Sequence, residues 1–202
     1  MRDIFICWIL TPLGAAFFGY LFFKSLNRVF YKWIPEAYSG KILRALIILS
    51  GCYVAYTWEA NDVANATGLL NGSQIFDARV SVLIGGSAII LGIVTWGYRV
   101  IETIGTRITH LGPLMAFCAQ LASGVNVHLY TILGIPVSTS HSIVGAIFGV
   151  GLVTGTRVLD FHILREIVIC WIATPLLCGA FSYVFVILMI ALKWIKNRSI
   201  AK

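Results

Sequence analysis

The segment Glu59–Gly68 reads EANDVANATG and lies between two apolar stretches, which places Asn61, Asp62 and Asn65 at or near membrane depth. A carboxylate there costs about 2.5–3.5 kcal/mol on insertion scales. A chain bears that cost mainly where the group meets a cation, a substrate or a water-filled cavity. Asn61 and Asn65 are spaced to share one face of a helix, with Asp62 adjacent. Asp62 repels an anion directly, so it suits a small hard cation, whereas carboxamides can donate to an anion and accept from a cation. A helix interrupted near Ala60 would add free N–H groups and the positive end of a dipole, which favour an anion. The alternative is hydrogen bonding that glues neighbouring helices.

A second constellation is Ser138-Thr139-Ser140-His141. It follows Pro136, which cannot continue a preceding helix, and precedes an apolar run. Ser138 or Thr139 is a plausible N-cap. Three hydroxyls and the unpaired N–H groups of a helix start would make a site for a tetrahedral oxyanion, against a plain capping role. For His141 three roles stand open: orienting a hydroxyl, donating to the anion, or closing the tip. A serine hydrolase using Ser138 or Ser140 with His141 is a weaker reading, because adjacent residues seldom pair and no acid partner is evident. Gln120, Ser123 and Asn126 recur on one arm, where they either wet a path or bond a neighbouring helix. Gly145, Gly149 and Gly151 read as close helix packing. Glu59 is a second carboxylate, either a proton site or a group reaching the interface.

The elements that position these residues follow from composition. Of 202 residues, 59% are hydrophobic and 11% charged, against about a quarter charged in soluble domains. A polytopic helical membrane protein is expected, with room for five or six crossings at roughly 20 residues each. Continuous apolar runs exclude an outer-membrane barrel. The net charge of +7 comes from basic residues flanking the spans, a pattern of lipid anchoring and topology control rather than nucleic-acid binding. The five cysteines and four histidines are scattered, so no disulfide framework, metal site or cofactor is expected. The first apolar run is long and lacks a cleavage site, so no cleavable signal is expected.

Along the chain, 4–23 is a span, and 24–41 a basic, aromatic segment lying in the interface. Residues 42–70 are a broken helix, 80–100 a helix, and 111–155 a re-entrant hairpin with the hydroxyl-rich turn at its tip. Residues 165–194 form the last span. The organisation is therefore 1–41 as the end of a preceding repeat and 42–202 as one repeat. Ile6–Leu13 (ICWILTPL) recurs as Ile169–Leu176 (ICWIATPL), and the match continues at Phe18/Phe181, Tyr20/Tyr183 and Phe22/Phe185. One crossing by 42–70, one by 80–100 and none by the hairpin set the two copies in opposite directions, the mark of an inverted repeat. The same count puts Lys24, Arg28, Lys32, Lys41, Arg44, Arg99, Arg107, Arg157 and Arg165 on one side. Arg2, Arg79 and the basic C-terminal tail fall on the other. The first side is favoured as cytoplasmic.

NDVANATG after an apolar helix, followed by GIPVSTSHSIVGAIFGVGL at 134–152, resembles the inorganic phosphate transporter (PiT) family, over about residues 42–195. The resemblance implies phosphate carried with sodium or protons by two inverted repeats, each with an ND signature and an ST-rich tip. It implies that Asn61, Asn65, Ser138, Thr139 and Ser140 bind phosphate and that Asp62 and Asn61 hold the coupling cation, with His141, Gln120 and Asn126 as supporting residues. The chain departs from the family at Glu59-Ala60, where a glycine or other small residue is usual. It also carries one copy of each motif instead of two. It resembles a C-terminal half, and a second half from another polypeptide or another copy would complete the site. The expectation is an all-α multi-pass membrane protein with an inverted-repeat transporter fold, performing cation-coupled phosphate symport as half of a transporter. The rivals are an inactive remnant or a non-transporting membrane subunit.

Overall fold

The structure, a computed structural model, describes residues 2–108, 111–155 and 159–200, with the backbone alone for 2–5, 106–107 and 192–200. His110, Arg157 and Lys202 lie outside the described residues, as do the side chains of Arg2, Arg107, Lys193, Lys196 and Arg198. The described residues are all-helical: α1 (Arg2–Trp33), α2 (Glu36–Gly72), α3 (Ala78–Glu102), α4 (Pro113–Ile132), α5 (Thr139–Thr154) and α6 (Phe161–Ile200), with a π-type stretch at Thr103–Arg107 after α3. Four stretches are long and apolar enough to cross a membrane: Ile6–Trp33, Glu36–Gly72, Ala78–Gly105 and Phe161–Ala191. The protein is thus a multi-pass integral membrane protein. Residues up to Asp160 pack as one unit, and α6 forms a second, taken by itself.

Two expectations are corrected. The helix carrying Asn61 is unbroken from Glu36 to Gly72. Between Cys52 and Thr67 there is neither Gly nor Pro, and side-chain polarity alone does not end a helix whose backbone bonds are intact. No half-helix N-terminus therefore faces an anion at Asn61. The 24–41 segment is not a separate surface element: α1 runs on to Trp33, and α2 starts directly after Pro35, whose ring presets the entry to a helix. Boundaries shift elsewhere too, with α2 running to Gly72, past the expected end at 70, and α6 running from Phe161 to Ile200.

The hairpin is present as expected. Ile108, just before it, accepts a hydrogen bond from the Asp160 backbone, just after it, at 3.0 Å. Its two ends therefore meet, and it enters and leaves at one place. At 16 residues α5 is about 24 Å long, short of the roughly 30 Å hydrocarbon core.

The hairpin packs against α1 and α2 by two different means. Against α1, small residues bring backbones together. A Cβ on Gly145 would collide with the Pro12 carbonyl, one on Gly149 with the Ala16 carbonyl, and one on Gly19 with the Ala146 carbonyl. The glycine-rich run is structural, as its spacing indicated. Gly149→Ala forces α1 and α5 apart, and a loss of about 1–3 kcal/mol of stability is expected, read as an earlier thermal transition in detergent. An unchanged transition would contradict this packing.

Buried polar groups seal the same interface. The Asn126 amide, 2% exposed, donates from Nδ2 to the Thr11 carbonyl and to Ser142 Oγ, each at 3.1 Å. Ser142 Oγ in turn donates to the Ser123 carbonyl at 3.2 Å. Against α2, Ser50 Oγ donates to Gln120 Oε1 at 2.7 Å, and Tyr53 pairs with His128 Nδ1 at 2.9 Å. Of the two readings open for Gln120 and Asn126, the structure bears out bonding to a neighbouring helix, as polar groups do where lipid offers no partners.

Candidate functional site

The tip of the hairpin is shaped by local sequence. Gly134 adopts φ +69°, a left-handed conformation that glycine takes without strain. It closes α4 by donating from its N–H to the Thr131 carbonyl, while the Ile135 N–H reaches the Tyr130 carbonyl, both at 3.0 Å. These are the paired bonds of a Schellman ending. Pro136 prevents any resumption of that helix. Val137 turns inward onto Cys7 and Val127, flanked by Trp58 and Tyr130. Ser138 then caps α5, its Oγ accepting the His141 backbone N–H at 3.3 Å. Plain capping is thus one of Ser138's roles.

Asn61 meets this tip from the C-terminal third of α2. It is 4% exposed, and its Nδ2 donates to the Val137 carbonyl at 2.8 Å while its Oδ1 accepts the Val137 N–H at 3.3 Å. One carboxamide thereby satisfies both backbone groups of a buried residue that belongs to no helix, as a neighbouring strand would. The second hydrogen of Nδ2 goes to Asp62 Oδ1 at 2.8 Å. Both amide hydrogens are thus engaged, and Asn61 acts as a staple between α2 and the tip.

Asp62, half-buried, is bound on both oxygens. Oδ1 takes the Asn61 amide, and Oδ2 takes the Thr139 hydroxyl at 3.1 Å. Among the described residues no Lys, Arg or His lies within ion-pair distance of this carboxylate. Its charge is met by hydrogen bonds alone, each oxygen keeping further acceptor capacity. That donor set suits a small hard cation.

Asn65, exposed on the same face one turn beyond Asn61, lines a cleft of about 220 Å³ with Ala60, Asn61, Thr131, Gly134 and Pro136. The structure therefore joins Asp62 to Asn61 and Thr139 by hydrogen bonds, while Asn61 and Asn65 line the neighbouring cleft. Ser140 is exposed at the first turn of α5. Glu59 is not part of that group: it lies in an open groove of about 600 Å³ with Tyr56, Val63 and Val82, between α2 and α3.

His141 is hydrogen-bonded to the backbone of Trp8 on α1. Pro12, four residues on, has no N–H to give the Trp8 carbonyl, so that carbonyl is left free to accept. Of the three roles open for His141, this contact supports closing the tip. The Trp8 and Val137 backbones were missed in the sequence. Pro12 inside an apolar helix was a visible sign of a freed carbonyl, but nothing indicated what would take it.

A family model described as "Phosphate transporter family" matches residues 1–182. The chain belongs to the phosphate transporter family. Among the relatives of this member, a protein named putative phosphate permease from Chlamydia pneumoniae is 36% identical over 143 residues, 66% of this chain and 34% of its own length. A putative phosphate permease of Methanocaldococcus jannaschii is 31% identical, over 90% of this chain and 58% of its own length. One of Thermococcus kodakarensis is 35% identical, over 89% of this chain and 47% of its own length. The chain thus spans about a third to three-fifths of these relatives. Among solved structures, one described as the sodium-dependent phosphate transporter superposes with a TM-score of 0.71 at 22% identity, over 85% of this chain and 62% of that one. That likeness concerns the fold.

Proposed function

We propose that this chain provides one half of a cation-coupled phosphate symporter. The observation that carries the reading is the meeting of an unpaired carboxylate, Asp62, with the hydroxyl-bearing tip at Thr139, in the C-terminal third of a helix long enough to cross a membrane. Phosphate near neutral pH bears one to two negative charges. An inside-negative potential opposes its entry by about 2.3 kcal/mol per charge per 100 mV. A cation held at Asp62 offsets that charge and brings in its own gradient.

Asn65 and Ser140 have side chains available beside the 220 Å³ cleft and the tip and serve as phosphate ligands. Thr139 stands between the two ions. Ser138 caps α5 through an Oγ lone pair and keeps its hydroxyl proton to donate to phosphate, and Asn61 holds the tip in place. Sodium, suggested by the name of the structural neighbour, is the first candidate for the coupling ion and the proton the second. The complete site includes a second half.

The hydrolase reading has no support in the geometry. The Ser138 oxygen meets the His141 backbone N–H and not its ring, and the His141 ring is bonded to the Trp8 backbone on α1.

Membrane vesicles from cells that encode the chain, with the chain deleted and restored, test the proposal. Restored vesicles are expected to take up labelled phosphate under an imposed sodium or proton gradient. Equal uptake with and without the chain would refute the reading.

A further inference from the structure

Beneath the hairpin tip lies a donor that the docked arrangement leaves unused. The Trp58 indole nitrogen is buried and has no hydrogen-bond partner among the described residues, although a buried tryptophan N–H usually finds one. Trp58 stands one turn before Asp62 on α2, and positions 58, 61, 62 and 65 follow the spacing of a single helix face. Its ring packs against the cluster of Cys7, Val127 and Val137. The indole N–H and the Asn61 amide therefore attend the same buried turn. That amide is fully committed: one Nδ2 hydrogen goes to the Val137 carbonyl and the other to Asp62 Oδ1. Asn61 can turn a hydrogen toward an anion while keeping Asp62 only by leaving the Val137 carbonyl. A buried carbonyl left without a donor is costly, and the Trp58 N–H is the donor at hand to replace the amide.

We propose that the Val137 carbonyl is exchanged between two donors, the Asn61 amide and the Trp58 indole, and that the exchange frees one Asn61 hydrogen for a phosphate oxygen. The two arrangements are balanced in hydrogen bonds. With Asn61 on the carbonyl, the indole N–H is unpaired; with Trp58 on it, one Asn61 hydrogen is unpaired. The remaining Asn61 bonds, to Asp62 and from the Val137 N–H, are kept in both. The indole alone does not staple the turn, because Asn61 Oδ1 goes on holding the Val137 N–H. A phosphate oxygen pairs the leftover donor in the second arrangement only, so phosphate shifts the equilibrium toward it. The inference rests on the reading of the chain as part of a phosphate symporter and names Trp58 as the residue that makes Asn61 available to the substrate.

Nuclear magnetic resonance on the full chain tests the exchange, with the protein purified in its native assembly from cells that encode it and grown on isotope-labelled tryptophan. Trp58→Phe identifies the Trp58 indole resonance by its disappearance. Sodium phosphate is expected to move that resonance downfield, as a new acceptor does, and sodium chloride at equal sodium to leave it in place. In vesicle uptake, benzothienylalanine at 58 keeps the bicyclic shape and loses only the N–H. It is expected to raise the half-saturating phosphate concentration about tenfold, equivalent to about 1.4 kcal/mol, with the maximal rate within about twofold of the parent. Its thermal transition should match the parent's, whereas a packing role alone predicts no change in half-saturation for this analogue. An indole resonance indifferent to phosphate, in a protein that phosphate protects from unfolding, would overturn the exchange. So would the parent's half-saturating concentration in the analogue. A parent that neither takes up phosphate nor is protected by it would sink the symporter reading and this inference together.

Discussion

Asp62→Asn is expected to abolish the dependence of phosphate uptake on the cation gradient and to lower gradient-driven uptake on the order of 30- to 150-fold. That range equals about 2–3 kcal/mol of lost cation binding. The reasoning separates charge from shape. Asparagine keeps the length and planarity of the side chain, and its oxygen can still accept the Asn61 amide. Its nitrogen can donate to the Thr139 hydroxyl where the carboxylate now accepts from it. The tip therefore stays docked and only the charge is lost. Thermal stability should move by less than about 1 kcal/mol, as for other near-isosteric changes. Vesicles of the variant, assayed with and without an imposed gradient beside a melting curve, measure both. Undiminished coupled uptake would remove Asp62 from the cation site, and a collapse of stability would make it a structural group.

Asn61→Leu is expected to do the opposite, releasing the tip while leaving the carboxylate charged. Val137 would lose partners for both its N–H and its carbonyl, at a buried position. Each orphaned group costs about 1–3 kcal/mol, so docking of the tip weakens by about 2–6 kcal/mol. Asn61→Asp should fail as well. A carboxylate can accept the Val137 N–H but has no proton for the Val137 carbonyl, and it sets a second negative charge against Asp62. With Val137→Cys as a reporter, at a position now buried in the docked tip, thiol labelling at residue 137 should rise at least tenfold in either variant. Labelling equal to that of the parent would show that Asn61 does not hold the tip.

Much of this site was legible because the chemistry that makes the residues useful also makes them conspicuous. Three polar residues within an apolar span and a proline-led run of hydroxyls stand out by the cost of placing them there. Their meeting is an outcome the residues themselves suggested, and Thr139 on Asp62 realises it. The continuity of α2 was not read, although the sequence contained it. EANDVAN is free of glycine and proline, and a polar stretch was mistaken for a break. Gln120 and Asn126 were undecidable beforehand, because a polar residue facing a watery path and one facing a neighbouring helix have the same spacing. Only the positions of Ser50, Thr11 and Ser142 distinguish the two. The pairing of His141 with Trp8 depends on the angle at which two distant helices cross, which no local pattern encodes.

The continuity of α2 bears on how such a site would switch sides. A rod without a joint beneath the carboxylate carries Asp62 only as far as the whole rod travels. Flexibility at this place belongs instead to the short bend from Leu133 to Ser138, where a left-handed glycine and a proline interrupt the helical ladder and one amide serves as the latch. Opening would then start with the latch letting go and the bend swinging clear, while the acidic residue stays where it is.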